Sequence, residues 1–220
     1  MSLSETSVVT PSAFTEGRDL SVSPDSQLAI VARHFPEIIG PEIKNGIALF
    51  KKQSPQKPIY IWINPKVIGS GYYSKAIERL IQLIMSDRGV DFHNMSGFPI
   101  NQLVSDKSST CLSFKLMLVR ESPPKLSVVD IHNTYDCRMG PKSFPLDLFE
   151  GLLMLLLNPS LLSDYYINNI GIICAGTKIK WGEEYNSPVI YKDETGGLTM
   201  GFIPITKRSD YHNAFTGQFI

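Results

Sequence analysis

Residues 145–159 read Pro-Leu-Asp-Leu-Phe-Glu-Gly-Leu-Leu-Met-Leu-Leu-Leu-Asn-Pro. Pro145 suits a helix start, Asp147 and Glu150 fall where the positive end of a helix favours acids, and Asn158-Pro159 closes the run. The spacing predicts a helix over 146–157. Its second half, Leu152 to Leu157, is apolar on every side, so it belongs inside a core rather than on a wetted face. Crossing a bilayer takes about 20 apolar residues, and this run is bounded closely by Glu150 and Pro159, so no membrane span is expected. A short helix that is apolar all round needs partners on more than one side, and the rest of the chain has to supply them.

Upstream, Ser23-Pro24-Asp25 is a helix start, and Leu28, Val31, Ala32 and Phe35 follow on one face until Pro36. A second short helix is expected from Pro41 to Lys51 with Ile43, Ile47 and Phe50 inward. Ile59-Tyr60-Ile61-Trp62-Ile63, between Pro58 and Asn64-Pro65, reads as a buried strand. After Gly69-Ser70-Gly71, the residues Tyr73, Ala76, Ile77, Leu80, Ile81 and Ile84 keep a 3.6-residue period. Strands are then expected at Val90–His93, Leu112–Val119, Leu126–Ile131, Ile170–Cys174, Pro188–Tyr191 and Leu198–Ile203. The last two are joined by a hairpin turn at Glu194-Thr195-Gly196-Gly197. Runs of strands with few helices between them predict an α+β fold. The expected architecture is a single domain over 23–220, with a mixed, largely antiparallel sheet and a few helices packed on one side. Residues 1–22 are rich in Ser and Thr without an apolar period and are expected to form a flexible tail with no core contacts.

Composition narrows the function classes. The 220 residues are 43% hydrophobic and 19% charged, with 21 Lys+Arg against 21 Asp+Glu. That is the profile of a soluble globular protein without a global field for nucleic acid or anionic lipid. The three cysteines, Cys111, Cys137 and Cys174, lie far apart with no C-x-x-C pair, which favours neither a zinc knuckle nor a disulfide framework. No Lys or Arg precedes Arg18 and no apolar h-region follows, so Sec-type export is not expected. The expected location is cytoplasmic, with the virion or a specialised bacterial secretion route as alternatives.

Phe114-Lys115-Leu116-Met117-Leu118-Val119-Arg120, then a proline turn, then Met139-Gly140-Pro141-Lys142-Ser143-Phe144-Pro145 leading an apolar helix, resembles rhabdovirus-type matrix proteins over roughly residues 112–160. The resemblance implies a small α+β domain with a flexible N-terminal tail. It also implies that the domain self-associates, touches the inner face of an envelope and contacts a nucleocapsid. The chain departs from that pattern in having no Lys-rich stretch in its tail and no P-P-x-Y motif.

Two constellations bear on an enzymatic alternative, a hydrolase. Val90-Asp91-Phe92-His93-Asn94 is echoed by Val129-Asp130-Ile131-His132-Asn133. On adjacent strands, Asp91, His93, Asp130 and His132 would offer two carboxylates and two imidazoles to a divalent metal, the cofactor that this alternative implies. Cys111, His132 and Asp136 form the second, in the order nucleophile, base, orienting acid. Neither is supported by a local motif, and Cys111 lies at an expected strand start rather than at a helix N-terminus. Cys137 beside Arg138, the Gly69–Gly71 turn as a phosphate cradle, the Lys178, Lys180, Trp181 cluster and the Tyr165-Tyr166 pair complete the candidates. The favoured expectation is a non-enzymatic binding, assembly or structural module whose partners are proteins, including copies of itself.

Overall fold

The computed structural model describes residues 20, 22–53, 58–94, 113–121, 127–130, 143–158, 171–181, 183–193, 195–207 and 212–219, with 97, 100, 103 and 161 as single positions. Helix α1 spans Pro24–His34 and begins as its sequence dictates: Ser23 Oγ accepts the Ser26 N–H at 3.0 Å, with proline in the first turn. Helices α2 (Pro41–Gln53), α3 (Pro65–Ile68) and α4 (Tyr73–Arg88) follow, α3 capped by the Asn64 side chain and α4 ended by Gly89 at φ +60°. Helix α5 is Leu148–Leu157, and all ten of its residues are buried.

The strands are β1 (Ile59–Ile63), β2 (Phe92–Asn94), β3 (Phe114–Glu121), β4 (Ser143–Pro145), β5 (Gly171–Ile173), β6 (Ile179–Trp181), β7 (Glu184–Lys192), β8 (Leu198–Pro204) and β9 (His212–Phe219). They form one sheet in the order β1-β3-β9-β5-β7-β8-β2, with β4 also paired to β9 and β6 to β7. Among the described residues, only β5–β9 and β2–β8 pair in parallel. The α+β class, with a largely antiparallel mixed sheet, is the one the sequence indicates.

Pleating separates two apolar faces. Ile172 on β5, Ile190 on β7, Met200 on β8 and Phe215 on β9 join α5, α4 and α1 in the main core. Ile173, Val189, Ile203 and Ala214 form a smaller cluster with Val128. The sheet is therefore not covered on one side alone. Gly151 in the middle of α5 admits the close approach of the sheet, since a Cβ there would lie 3.0 Å from Cys174 Sγ. The helix sacrifices about 1 kcal/mol of intrinsic propensity for that contact.

The N-terminal end of α5 is buried, and its orphan N–H groups are met by side chains. Asp147 Oδ1 accepts the Glu150 N–H and Glu150 Oε2 accepts the Asp147 N–H, both at 2.9 Å, while Thr177 Oγ1 accepts from Leu148 N at 2.9 Å. The acids placed by sequence at this helix start are thus a buried capping box. On the opposite side of the core, Arg33 and His34 of α1 both reach Asp87 of α4 at 2.7 Å.

Strand β1 lies at the end of the sheet, yet all five residues are buried. The Gln27 amide of α1 donates to Ile59 O and accepts from Ile61 N, the two bonds that a further strand would make there. Leu20, 7% exposed, is part of the main core, and its carbonyl accepts the Tyr60 hydroxyl at 2.9 Å. The boundary of the expected tail is corrected accordingly: Leu20 and Val22 pack on the domain, because apolar residues just before a cap can cover the edge that the cap leaves open.

A second correction concerns 126–131. Residues 128–130 are helical, not strand. Ser127 Oγ accepts the Asp130 N–H at 3.0 Å and Asp130 Oδ2 accepts the Ser127 N–H at 3.1 Å, so side-chain bonding offers the backbone an alternative to a ladder.

Leu20→Ala should lower stability by about 2 kcal/mol, or roughly 4–8 °C in thermal midpoint for a chain of this size; an unchanged midpoint would mean that Leu20 has no core role. Leu153→Asp should abolish folding, measured by circular dichroism and solubility, because an unpaired buried carboxylate costs several kcal/mol against a total of about 5–15.

Candidate functional site

The residues of the D-x-H echo that the structure describes do not meet. Asp91 immediately precedes β2, where its carbonyl accepts Leu198 N at 2.7 Å, and His93 lies in β2 opposite Thr199 with its side chain 50% exposed. Asp130 sits in the helical turn whose Val129 N–H bonds Ile205 O. Six residues of chain along β8 separate Thr199 from Ile205, or roughly 20 Å at strand rise. Among the described residues no group of three or more His, Cys, Asp or Glu side chains is placed to hold a metal ion. His132, Cys111, Asp136, Cys137, Tyr165 and Tyr166 lie outside the described residues.

Other titratable groups are engaged in holding the fold. Cys174 is fully buried behind α5, and burial, reinforced by Asp147 and Glu150, pushes its thiol well above the usual value, away from nucleophilic character. Tyr73 of α4 lies against the same acids, and burial first, then Asp147 and Glu150, push its hydroxyl upward. Gly69-Ser70-Gly71 is the reversal after α3: Ser70 has φ +51°, Gly71 φ +94°, and a Cβ on Gly69 would lie 2.0 Å from Tyr72 O. Lys178 and Lys180 are exposed at β6.

His93 faces a different acid from the one its sequence neighbour suggests. Its Nε2 is 3.9 Å from Asp193 Oδ2, at the turn between β7 and β8. Asp193 accepts from Thr195 Oγ1 at 2.6 Å, from Thr195 N and Gly197 N at 2.9 Å each, and from Thr199 Oγ1 at 3.0 Å. These bonds, that from the Thr195 hydroxyl first, hold its carboxyl at about 2, below the ordinary 3.8.

A third group gathers where β1, β3, β4 and β9 converge. Pairing sets Trp62 opposite Lys115, Met117 opposite Phe219, and Phe144 opposite Gly217. Residues two apart share a face, which brings Lys115 to Phe219 diagonally. The Lys115 ammonium lies 4.5 Å from the Phe219 ring centroid and 5.9 Å from that of Trp62. Phe219 meets Trp62 edge-on at 5.1 Å and Phe144 at 4.8 Å. Lys115, Phe144 and Phe219 are half-buried, while Trp62 is 1% exposed. The Trp62 Nε1–H is buried without a hydrogen-bond acceptor, a state that costs about 1–3 kcal/mol. Among the described residues no carboxylate pairs with Lys115.

Gly217 makes this corner possible. A Cβ there would lie 2.8 Å from Met117 Sδ, 2.9 Å from Phe144 Cε2 and 3.0 Å from Leu146 Cδ2. Sequence reasoning identified Trp62 as a core residue and passed over Lys115, Phe144 and Phe219 as a set, since only long-range strand pairing unites them.

Comparison of the chain with protein-family models, with curated proteins and with solved structures returned no match.

The Asp193 carboxyl should titrate near 2 by NMR, and Thr195→Ala should move it upward toward 3.8. Because the folded-state value is depressed, the stabilisation of the turn is complete above the ordinary carboxylate value and is lost as pH falls through about 2. An unshifted carboxyl in the native protein would show that the four donor contacts are not held in solution.

Proposed function

We propose that the chain is a non-enzymatic binding and assembly module, with the half-exposed Lys115, Phe144 and Phe219 corner, backed by the buried Trp62, as its contact surface. The observation that carries this reading is a cation held over two aromatic rings at a half-exposed sheet end, beside a buried N–H with no acceptor. Aromatic anchors around a desolvated polar group are the composition of an interface centre. Titratable side chains elsewhere serve helix capping at Asp147 and Glu150, helix tethering at Asp87, and turn closure at Asp193.

The segments that resemble rhabdovirus-type matrix proteins support the same reading. They contribute β3, β4 and α5, and with them Lys115 and Phe144. On that resemblance the partners are copies of the chain, and beyond them an envelope surface or a nucleocapsid. No helix among the described residues is long and apolar enough to cross a membrane, so an envelope contact on this reading is peripheral.

Sedimentation velocity over a wide concentration range tests assembly. The expected outcome is a sedimentation coefficient that rises with concentration in the native protein. In Lys115→Glu the rise should weaken, with the thermal midpoint held within a few degrees, since a half-exposed cation over aromatic rings is worth about 1 kcal/mol. A native protein that stays monomeric throughout overturns self-assembly. An undiminished rise in Lys115→Glu overturns the assignment of the surface.

A further inference from the structure

We infer that helix α1 is an autoinhibitory cap on the β1 edge, with Gln27 as its latch, and that the strand it excludes is β1 of a second copy of this chain. This concerns a different surface from the Lys115 corner and does not rest on the reading of that corner. Pro58 O and Asn64 N bond on the β3 side, so alternation turns the backbone groups of Ile59, Ile61 and Ile63 outward. Gln27 meets two of these groups with a single amide: Nε2 donates to Ile59 O, and Oε1 accepts from Ile61 N at 2.9 Å. Nε2 also donates to Val22 O at 3.2 Å, which fastens the segment leading into α1. Gln27 is 1% exposed, on a helix face whose other buried residue is Val31. An amide in such a place costs free energy unless it is hydrogen-bonded, and the β1 edge is what bonds it. The ion pairs at the two ends of α1, Asp25 with Lys51 and Arg33 with Asp87, each include an exposed side chain and add little.

The excluded partner follows from β1 itself. Edge strands ordinarily repel their own kind with a charge, a proline or a bulge inside the strand. Ile59-Tyr60-Ile61-Trp62-Ile63 has no charge and no proline, and its register with β3 is unbroken, so its protection lies in α1. The run is also symmetric about Ile61. An antiparallel pair of two such strands sets Ile61 against Ile61, Ile59 against Ile63 and Tyr60 against Trp62, the self-complementary contact of a two-fold dimer. Opening of α1 exposes that edge, and the two Gln27 bonds to β1 set how often it opens.

The test uses the full chain carrying Lys115→Glu, so that assembly at that corner contributes least. The readouts are amide hydrogen exchange at Ile61, taken relative to Val189 of β7 in the same sample, and the sedimentation coefficient. With Gln27 in place, Ile61 should exchange slowly at every concentration. Gln27→Leu should speed that exchange about a hundredfold in dilute protein, two buried hydrogen bonds at about tenfold each. Raising the concentration should then restore protection at Ile61 as the sedimentation coefficient rises. Gln27→Glu is a control of the same shape: its protonated carboxyl can donate to Ile59 O and accept from Ile61 N, whereas its carboxylate cannot donate. It should match the Gln27 protein at acid pH and the Gln27→Leu protein once ionised. Slow exchange in Gln27→Leu, or no response to pH in Gln27→Glu, overturns the latch. Fast exchange that concentration does not slow overturns the second copy as the excluded partner. If Gln27→Leu unfolds as a whole, seen as equally fast exchange at Val189, Gln27→Glu in its two protonation states decides by the same criteria.

Discussion

The requirement that α5 be buried on all sides governs the structure. A ten-residue helix with no wet face cannot rest on a sheet with its back to water. It is therefore enclosed, with β5 and β7 beneath it through Ile172 and Ile190, and with α4 and α1 over it through Ile77, Leu80, Val31 and Phe35. Enclosure creates a second requirement, because the orphan N–H groups at its first turn lose water as well. Asp147, Glu150 and Thr177 answer it, which is why two acids stand in the core of a chain whose other charges are mostly outside. The capping box and the apolar body are one device: either without the other would leave buried polar groups or exposed leucines.

That device was legible in the sequence because every part of it is local. Proline, acid spacing and leucine density fall within fifteen residues, and the same holds for the Ser23-Pro24 start of α1, the period of α4 and the β-branched run of β1. Strand β9 was not legible, although it pairs with β3, β4 and β5. Its sequence, His-Asn-Ala-Phe-Thr-Gly-Gln-Phe, carries a glycine that argues against a strand interior when read alone. In the fold the same Gly217 is demanded by Met117 of β3 and by Phe144 and Leu146 of the segment that leads into α5. A residue whose reason is long-range crowding looks, locally, like a fault.

The candidate sites divide along the same line. The D-x-H echo was visible because it repeats in sequence, yet repetition does not set distance, and β8 carries His93 and the Asp130 turn at opposite ends. The partner that His93 does face, Asp193, is a hundred residues away and comes from the turn after β7. The aromatic corner shows the converse: Trp62, Lys115, Phe144 and Phe219 share no motif and no spacing, and three strand registers bring them to one face.

Edges and faces of the sheet also bear on how the molecule meets partners. Strand addition at β1 is closed, because the Gln27 amide already occupies Ile59 O and Ile61 N, and α1 and Leu20 lie over that side. The neighbouring face, one residue out of phase, is where Trp62 and Lys115 stand, with the half-exposed rings of Phe144 and Phe219 beside them and a buried Trp62 Nε1–H that has no acceptor. At this end of the sheet two outward backbone groups, Ile59 O and Ile61 N, are therefore satisfied, while the Trp62 Nε1–H is not. An edge whose outward groups are already bonded by a side chain of the same chain disfavours indiscriminate edge-to-edge growth.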